Sequence, residues 1–311
     1  MTTKRKRRKI LVTGGAGFIA SHVVDKCVSL GYSVAVIDNL STGFKKNLNP
    51  DARFYKGDIR NLAFVERVLK KERPDVINHH AAVAEVVKSV RNPLKTLEIN
   101  VIGTVNLLLT GGRGSMKKFI FASTGGAVYG EAEKVPVSEK AETAPLSPYG
   151  LSKLLAEETI SFYARSYGFE YLILRYPNVY GPRQNPKGEA GIVAIFAGLI
   201  KEGKRPTIFG DGTKTRDYVY IDDIVKANVT GLRRGKNEIV NLGWSKEVSD
   251  QKMFDAIAKS LDFKKSPIYA PFRQGEICRI ALKANKVQKI LNWRPKIKLD
   301  EGIGKTIRTI G

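Results

Sequence analysis

Cysteine is nearly absent from this chain. Cys27 and Cys278 are the only two in 311 residues, which excludes a disulfide-stapled scaffold and fits a reduced, cytoplasmic setting. Histidine is almost as scarce. His22, His79 and His80 lack the spacing of a metal site, so no metal is expected and all three read as packing or capping residues. No apolar run approaches the ~20 residues that a membrane-spanning helix needs.

Acidic residues are the other shortfall, 30 against 53 Lys and Arg, for a formal net charge of +23. The excess opens with Lys4-Arg5-Lys6-Arg7-Arg8-Lys9, which imitates the charged start of a signal peptide. The apolar stretch behind it holds a glycine loop and no clear cleavage site, so secretion is not expected. Such charge raises the question of nucleic-acid binding. Aromatics, however, are not interleaved with the basic residues as a single-strand binder requires. Pairs such as Lys70-Lys71, Lys117-Lys118 and Lys264-Lys265 read as solvated faces. Neither a nucleic-acid nor a membrane partner is expected.

Against these absences stands a well-punctuated α/β pattern. Lys9-Ile10-Leu11-Val12 reads as a short buried strand running into Thr13-Gly14-Gly15-Ala16-Gly17-Phe18-Ile19-Ala20 and then a helix. Strand, glycine loop and helix in that order make a phosphate site, because glycines admit close backbone approach and a helix start offers free N–H groups. The candidate contacts are Gly14, Gly17, Phe18 and Ile19. A second strand, Ser33 to Ile37, ends on Asp38 and Asn39. A carboxylate there accepts both hydroxyls of an adenosine ribose and repels a 2′-phosphate, which favours NAD over NADP.

Two further segments carry chemistry. Phe119-Ile120-Phe121-Ala122 emerges into Ser123-Thr124-Gly125-Gly126, placing hydroxyls at the sheet edge where doubly wound folds bind ligands. Tyr149 stands four residues before Lys153 in Ser147-Pro148-Tyr149-Gly150-Leu151-Ser152-Lys153. On a helix that spacing puts phenol and ammonium on one face. A phenol with a pKa near ~10 is a poor base at neutral pH, and a neighbouring positive charge favours the phenolate.

Glycine loop, hydroxyl strand end and Tyr-x-x-x-Lys together resemble the extended short-chain dehydrogenase/reductase superfamily, and more narrowly the UDP-glucose 4-epimerase type of nucleotide-sugar enzyme. The resemblance runs nearly end to end. It implies that Asp58 and Ile59, in Gly57-Asp58-Ile59-Arg60, contact adenine. It implies that Ala81 and Ala82, after Asp75 to His80, pack on the cofactor, and that Asn100 is the family's asparagine on the fourth helix. In the C-terminal part it implies Asn178 on the diphosphate, Phe209 against uracil, Arg216 and Arg273 on phosphate, and Glu276 on the nucleoside ribose. Two guanidinium forks on one diphosphate make chemical sense.

The expected fold is a Rossmann-type doubly wound parallel sheet in residues 1–176, with later segments such as 207–232 returning to it. Residues 177–311 mainly build a smaller substrate lobe. Helices are expected over Pro93 to Leu109, Pro148 to Tyr167 and Ile221 to Leu232. In relatives the first two pair across a homodimer interface. The expected activity is NAD-dependent 4-epimerisation of a UDP-hexose, plain or N-acetylated, with Thr124, Tyr149 and Lys153 catalytic. Counting back from Val128-Tyr129-Gly130 puts the catalytic hydroxyl at Gly125. One extra loop glycine restores Thr124, and Ser123 stays an alternative. Gly125 and Gly126 replace the acidic pair of dehydratases. Ile280 falls where relatives place a residue gating the C2 substituent. A UDP-glucuronate decarboxylase, a uronate epimerase or a non-catalytic NAD-sensing regulator with a basic arm are the rival readings.

Overall fold

A computed structural model describes residues 7–188, 191–273 and 276–310. Lys4 to Lys6 of the basic arm, and Gln274 and Gly275 of the arginine motif, lie outside the described residues.

Six strands alternate with helices in the first half of the chain. They are β1 (Lys9–Thr13), β2 (Ser33–Asp38), β3 (Arg53–Lys56), β4 (Val76–His79), β5 (Lys118–Thr124) and β6 (Glu170–Tyr176). The helices between them are α1 (Phe18–Ser29), α2 (Leu62–Glu72), α3 (Val86–Arg91), α4 (Pro93–Leu97), α5 (Gly103–Arg113) and α6 (Pro148–Tyr167). The second half adds β7 (Asn178–Tyr180), α7 (Ile192–Lys201), β8 (Thr207–Phe209), β9 (Thr215–Arg216), β10 (Tyr218–Tyr220) and α8 (Ile221–Gly231). It ends with β11 (Glu238–Asn241), β12 (Val248–Ser249), α9 (Asp250–Ser260), β13 (Ile268–Ala270), α10 (Asn285–Leu291) and α11 (Leu299–Ile307).

The main sheet has the order β11-β6-β5-β4-β1-β2-β3, with every neighbour pair parallel. Chain order reverses between β1 and β4, which opens a crevice at the carboxyl ends of those strands. Both faces are covered, so the central strands read as unbroken apolar runs. Ile10 and Val12 face a core completed by α1 and α8, while Leu11 between them faces α2, α5 and α6. That alternation is the two-residue period of a strand.

Of the later segments, α8 packs against α1 and β11 joins the sheet beside β6. Thr207–Phe209 instead pairs with β13 in the lobe. The helix beginning at Pro93 runs past Leu109 to Arg113, with a π-helical turn at Glu98–Ile102. The helix carrying Tyr149 starts where Ser147 caps it, its Oγ accepting the Gly150 N–H at 3.2 Å, with Pro148 in the first turn. It stops at Gly168, whose φ of 75° is left-handed.

Candidate active site

One cleft of about 680 Å³ follows the crevice and continues between sheet and lobe. Gly14, Gly17, Phe18, Ile19, Asp38, Asn39, Asp58, Ile59, Ala81 and Ala82 line one part of it. Ser123, Thr124, Tyr149, Lys153, Asn178, Phe209, Arg216, Arg273 and Glu276 line the rest. Every residue expected to touch the cofactor, the nucleotide or the reacting atoms, except Asn100, is therefore gathered there.

The dinucleotide end is shaped by what cannot fit. Gly14 has φ 71°, and a Cβ on it would lie 2.8 Å from the Ala81 backbone nitrogen. Only glycine allows that approach. Gly17 is the N-cap of α1 and no side chain caps the helix, so its first N–H groups are free for an anion. Asp38 is nearly buried at the end of β2, accepting the Ala16 N–H at 3.0 Å and the Leu40 N–H at 2.7 Å. A carboxylate has about four acceptor positions, so capacity remains for a ribose diol. The Arg60 hydrogen bonds hold the Asp58 carboxyl below the usual range. These features fit NAD.

The strand ends are tied together by Thr13. Its Oγ1 lies 2.6 Å from His79 Nδ1 and accepts the Ala81 N–H at 3.1 Å. His79 Nε2 lies 2.9 Å from Thr104 Oγ1. Burial first, and the Lys153 charge second, push the His79 imidazole far down and His80 down to about 3. Both are neutral, polar packing groups. His22 likewise bonds the Pro182 carbonyl at 2.9 Å.

At the reacting end the two candidate hydroxyls part company. Ser123 Oγ donates to Glu157 Oε1, and Glu157 in turn holds Arg175 at 2.6 Å, both side chains at most 5% exposed. Ser123 is committed to this buried pair. Among the described residues Thr124 has no such commitment, and its hydroxyl is near enough to the Tyr149 phenol to oppose the upward shift of its pKa. Lys153 Nζ donates to the Ala122 carbonyl at 2.7 Å and sits 4.6 Å from the Phe121 ring centre.

The expected lowering of the phenol pKa by Lys153 is not what the protein's own groups produce. Burial pushes Tyr149 up to about 12, opposed by the Thr124 hydroxyl. Burial also draws Lys153 down to about 7, opposed by Glu157. Two groups enclosed in one low-dielectric place each shed charge rather than share it.

In the lobe, Arg273 lies flat on Phe209, 3.6 Å from its ring centre, and 3.4 Å from Glu276. Arg216 donates to the Ile277 carbonyl at 2.7 Å. Lys214 and Asp250 are among the lining residues that escaped the sequence reading. Lys214 bonds Glu276 at 2.6 Å and lies 3.5 Å from Asp250; burial raises the Asp250 carboxyl, against Lys214. Lys214 sits in a turn-rich stretch with no periodicity to mark it. Glu157 and Arg175 were missed as a pair because 18 residues separate them.

Two expectations need correction. Ile280 does not line the cleft; at 2% exposure it packs in a small core with Val128, Tyr129, Val137 and Leu282, and Ile277 lines the cleft instead. Asn100 stands behind the wall. Its amide accepts the Val83 N–H at 2.8 Å and donates to the Val83 carbonyl at 3.0 Å and Ser152 Oγ at 2.8 Å.

Comparison with known proteins agrees with this geometry. Residues 10–243 match the model of the NAD dependent epimerase/dehydratase family. A relative in Methanocaldococcus jannaschii is 49% identical over 298 residues, covering 96% of this chain and 97% of that protein. The structure of a Thermotoga maritima UDP-glucose 4-epimerase with UDP-glucose superposes with a TM-score of 0.95 at 45% identity, covering 97% of this chain and 98% of that one. A Thermus thermophilus UDP-glucose 4-epimerase in complex with NAD gives 0.93 at 40%, with the same coverage. The chain belongs to the NAD dependent epimerase/dehydratase family.

Proposed function

We infer that the protein interconverts the C4 epimers of a UDP-hexose with NAD as its cofactor. The observation that carries this reading is the single cleft in which a dinucleotide loop, the group Thr124, Tyr149 and Lys153, and the lobe's Arg216 and Arg273 all meet.

NAD, when bound, supplies the acceptor that takes a hydride from the sugar and returns it. Gly14 to Ile19 would hold its pyrophosphate, Asp38 and Asn39 its adenosine ribose, Asp58 and Ile59 its adenine, and Lys153 its nicotinamide ribose. Tyr149 takes the proton of the C4 hydroxyl, and Thr124 bridges hydroxyl and phenol. A Lys153 that keeps its proton favours the phenolate through Coulomb attraction, strong in so dry a place. Arg216, Arg273 and Asn178 anchor the diphosphate while the 4-keto sugar turns to present its other face. Phe209 stacks the base and Glu276 takes the ribose.

Gly125 and Gly126 offer no acid for dehydration. A Cβ on Gly126 would lie 3.7 Å from Thr124 Oγ1, so the place such an acid would occupy beside the reacting groups holds only glycine. Proton NMR of the purified protein without added NAD, incubated with UDP-galactose and with UDP-N-acetylgalactosamine, tests the reading. Appearance of either gluco epimer is the expected result, and Tyr149→Phe should lower turnover by roughly 10²- to 10⁴-fold. Turnover above about a tenth of wild type in that variant would end the assignment of Tyr149 as base.

A homodimer is part of the proposal. Leu151, Leu155 and Phe162 on α6 are 42%, 41% and 56% exposed, and Leu94 and Ile102 on the packed neighbouring helix are 76% and 52% exposed. An apolar stripe of that size on two adjoining helices wants a cover. A reduced cytoplasmic location is supported by two unpaired cysteines, Cys27 buried and Cys278 exposed. No helix among the described residues is long and apolar enough to cross a membrane.

A further inference from the structure

A lysine that the reaction as written does not use is enclosed at the lobe end of the cleft. Lys214 lines the cleft, yet its side chain is only 7% exposed. Lysine is seldom buried unless it is paired, and Lys214 has two partners. Its Nζ donates to Glu276 Oε2 at 2.6 Å and lies 3.5 Å from Asp250 Oδ2. Glu276 Oε1 faces Arg273 Nε at 3.4 Å, and the same guanidinium lies on the Phe209 ring.

The backbone fixes this arrangement. Lys214 leads into β9, which pairs with β12 just ahead of Asp250. The Asp250 N–H donates to the Lys214 carbonyl at 2.9 Å, and the Gln251 N–H to the Gly212 carbonyl at 3.1 Å. Beyond Lys214, the Thr215 N–H donates to the Cys278 carbonyl at 3.0 Å, and Arg216 holds the Ile277 carbonyl. The start of α9 and the segment carrying Glu276 therefore meet on one strand. The Lys214 ammonium bridges a carboxylate from each.

An aromatic ring, guanidinium groups and a carboxylate suit the base, the phosphates and the ribose hydroxyls of a nucleoside diphosphate. Of these only the carboxylate has the wrong sign for the ligand. Beside a diphosphate it repels unless it is neutralised and turned toward hydroxyls. In this cluster Lys214, Arg216 and Arg273 outnumber Glu276 and Asp250 by one charge; without Lys214 that surplus is gone. Lys214 and Arg273 face two of the about four acceptor positions of Glu276. The Glu276 side chain, 18% exposed, lines the cleft with the rest.

We propose that Lys214 is a positioning residue for nucleotide selection. By holding Glu276 and offsetting Asp250, it keeps the Glu276 carboxylate available to the hydroxyls of a ribonucleoside diphosphate and tolerable to its phosphates. This deepens, and rests on, the reading of the cleft as a UDP-sugar site.

The test is calorimetric titration of UDP and of 2′,3′-dideoxy-UDP into the NAD-loaded protein. Wild type, Lys214→Met, Glu276→Gln and the double variant are compared. Wild type should favour UDP by about tenfold or more, as hydrogen bonds to a charged acceptor allow. Lys214→Met should weaken UDP binding by about tenfold and shrink that preference below about threefold. Glu276→Gln should lose the preference as well. Adding Lys214→Met to it should then cost less than about threefold more, because a residue that acts through another loses its effect with that partner. Lys214→Met combined with Asp250→Asn removes one charge of each sign, and gives the same reading if the single variant does not fold.

A merely structural lysine would weaken both nucleotides equally and leave the preference intact; that result overturns the proposal, as does full additivity in the double variant. In turnover, Lys214→Met should raise KM for UDP-galactose by more than it lowers kcat. A wild type that binds UDP and the dideoxy nucleotide equally tightly would overturn the proposal while sparing the reading of the cleft. A wild type that binds no UDP would end both.

Discussion

Burial keeps Tyr149 a neutral phenol and leaves Lys153 only partly protonated near neutral pH, and the Lys153 shift contributes to how the protein's stability responds to pH. Lys153 falls from an ordinary 10.5 to about 7 through burial, with Glu157 opposing. Between those values the unfolded chain binds more protons than the native one, so stability rises with pH. The penalty of enclosing the ammonium is complete below pH about 7 and disappears as pH climbs toward 10.5. Tyr149, raised to about 12, acts only above its ordinary range, where the unfolded phenol ionises first and stability is lost. Removing Lys153 also relieves its push on His79 and His80, but above their ordinary 6.5 both are mainly neutral in the folded and the unfolded chain and add little. NAD-free Lys153→Met should therefore be more stable than NAD-free wild type near pH 7, with the gap narrowing by pH about 9.5 and closing only as pH nears 10.5. Thermal unfolding of the two proteins across that range checks it; a gap independent of pH would mean that Lys153 titrates normally. The same pair shows what single positions disclose. Tyr-x-x-x-Lys named the right face from spacing alone, but the sign of the phenol shift depends on enclosure, which spacing does not carry. Likewise the choice between Ser123 and Thr124 needed Glu157, a partner 34 residues away from Ser123.

Among elements, the helix from Pro93 to Arg113 best shows where a pattern is legible and where it is not. Its start is marked by Pro93, and that of α6 by Ser147-Pro148, because a proline lacks the N–H that a first turn cannot satisfy. Its end was set too early at Leu109, since Thr110, Gly111 and Gly112 weaken a helical pattern that packing sustains. The π-helical turn at Glu98–Ile102 was invisible, as Glu-Ile-Asn-Val-Ile is ordinary helix sequence. Such turns concentrate at functional places, and this one presents the buried Asn100 to Val83 and Ser152. The two- and three-residue strands of the lobe were equally illegible, being too short to show a period. Asn100→Leu leaves the Val83 N–H and carbonyl and the Ser152 hydroxyl without this partner. It should destabilise the protein by about 3 kcal/mol or more. It should also lower kcat, because the clasp joins the cleft wall to the start of α6. Asn100→Asp keeps the acceptor for Val83 and should lose less. Unfolding midpoints and turnover of both variants decide the matter; equal effects from the two would mean that the acceptor for the Val83 N–H contributes nothing and the donors everything.

Across the whole molecule, the exposed apolar stripe on α6 and the helix beside it is the feature with the widest consequence. The net charge of +23 resists association in general, so any self-association has to come from a particular surface. Leu151, Leu155 and Phe162 recur at intervals that keep them on one side of α6, and the other side buries Ala156, Ile160 and Ala164 in the core. The helix is therefore apolar on two sides, only one of which the monomer covers. A two-fold pairing of this face with its copy would cover the second. It would also brace the helix that carries Tyr149 and Lys153 from outside, so that assembly and catalytic geometry share an element. Leu155→Glu combined with Phe162→Glu places two carboxylates in the stripe of each chain and, in a symmetric pair, brings like charges together. The expected outcome is that wild type sediments at the mass of two chains at micromolar concentration and the double variant at the mass of one. Retained NAD and a folded circular dichroism spectrum in the variant would show that the loss is one of assembly. A wild type that sediments as a single chain, or a double variant that still pairs, would place the interface elsewhere or nowhere. In either case the apolar outer face of α6 would need a different partner to account for it.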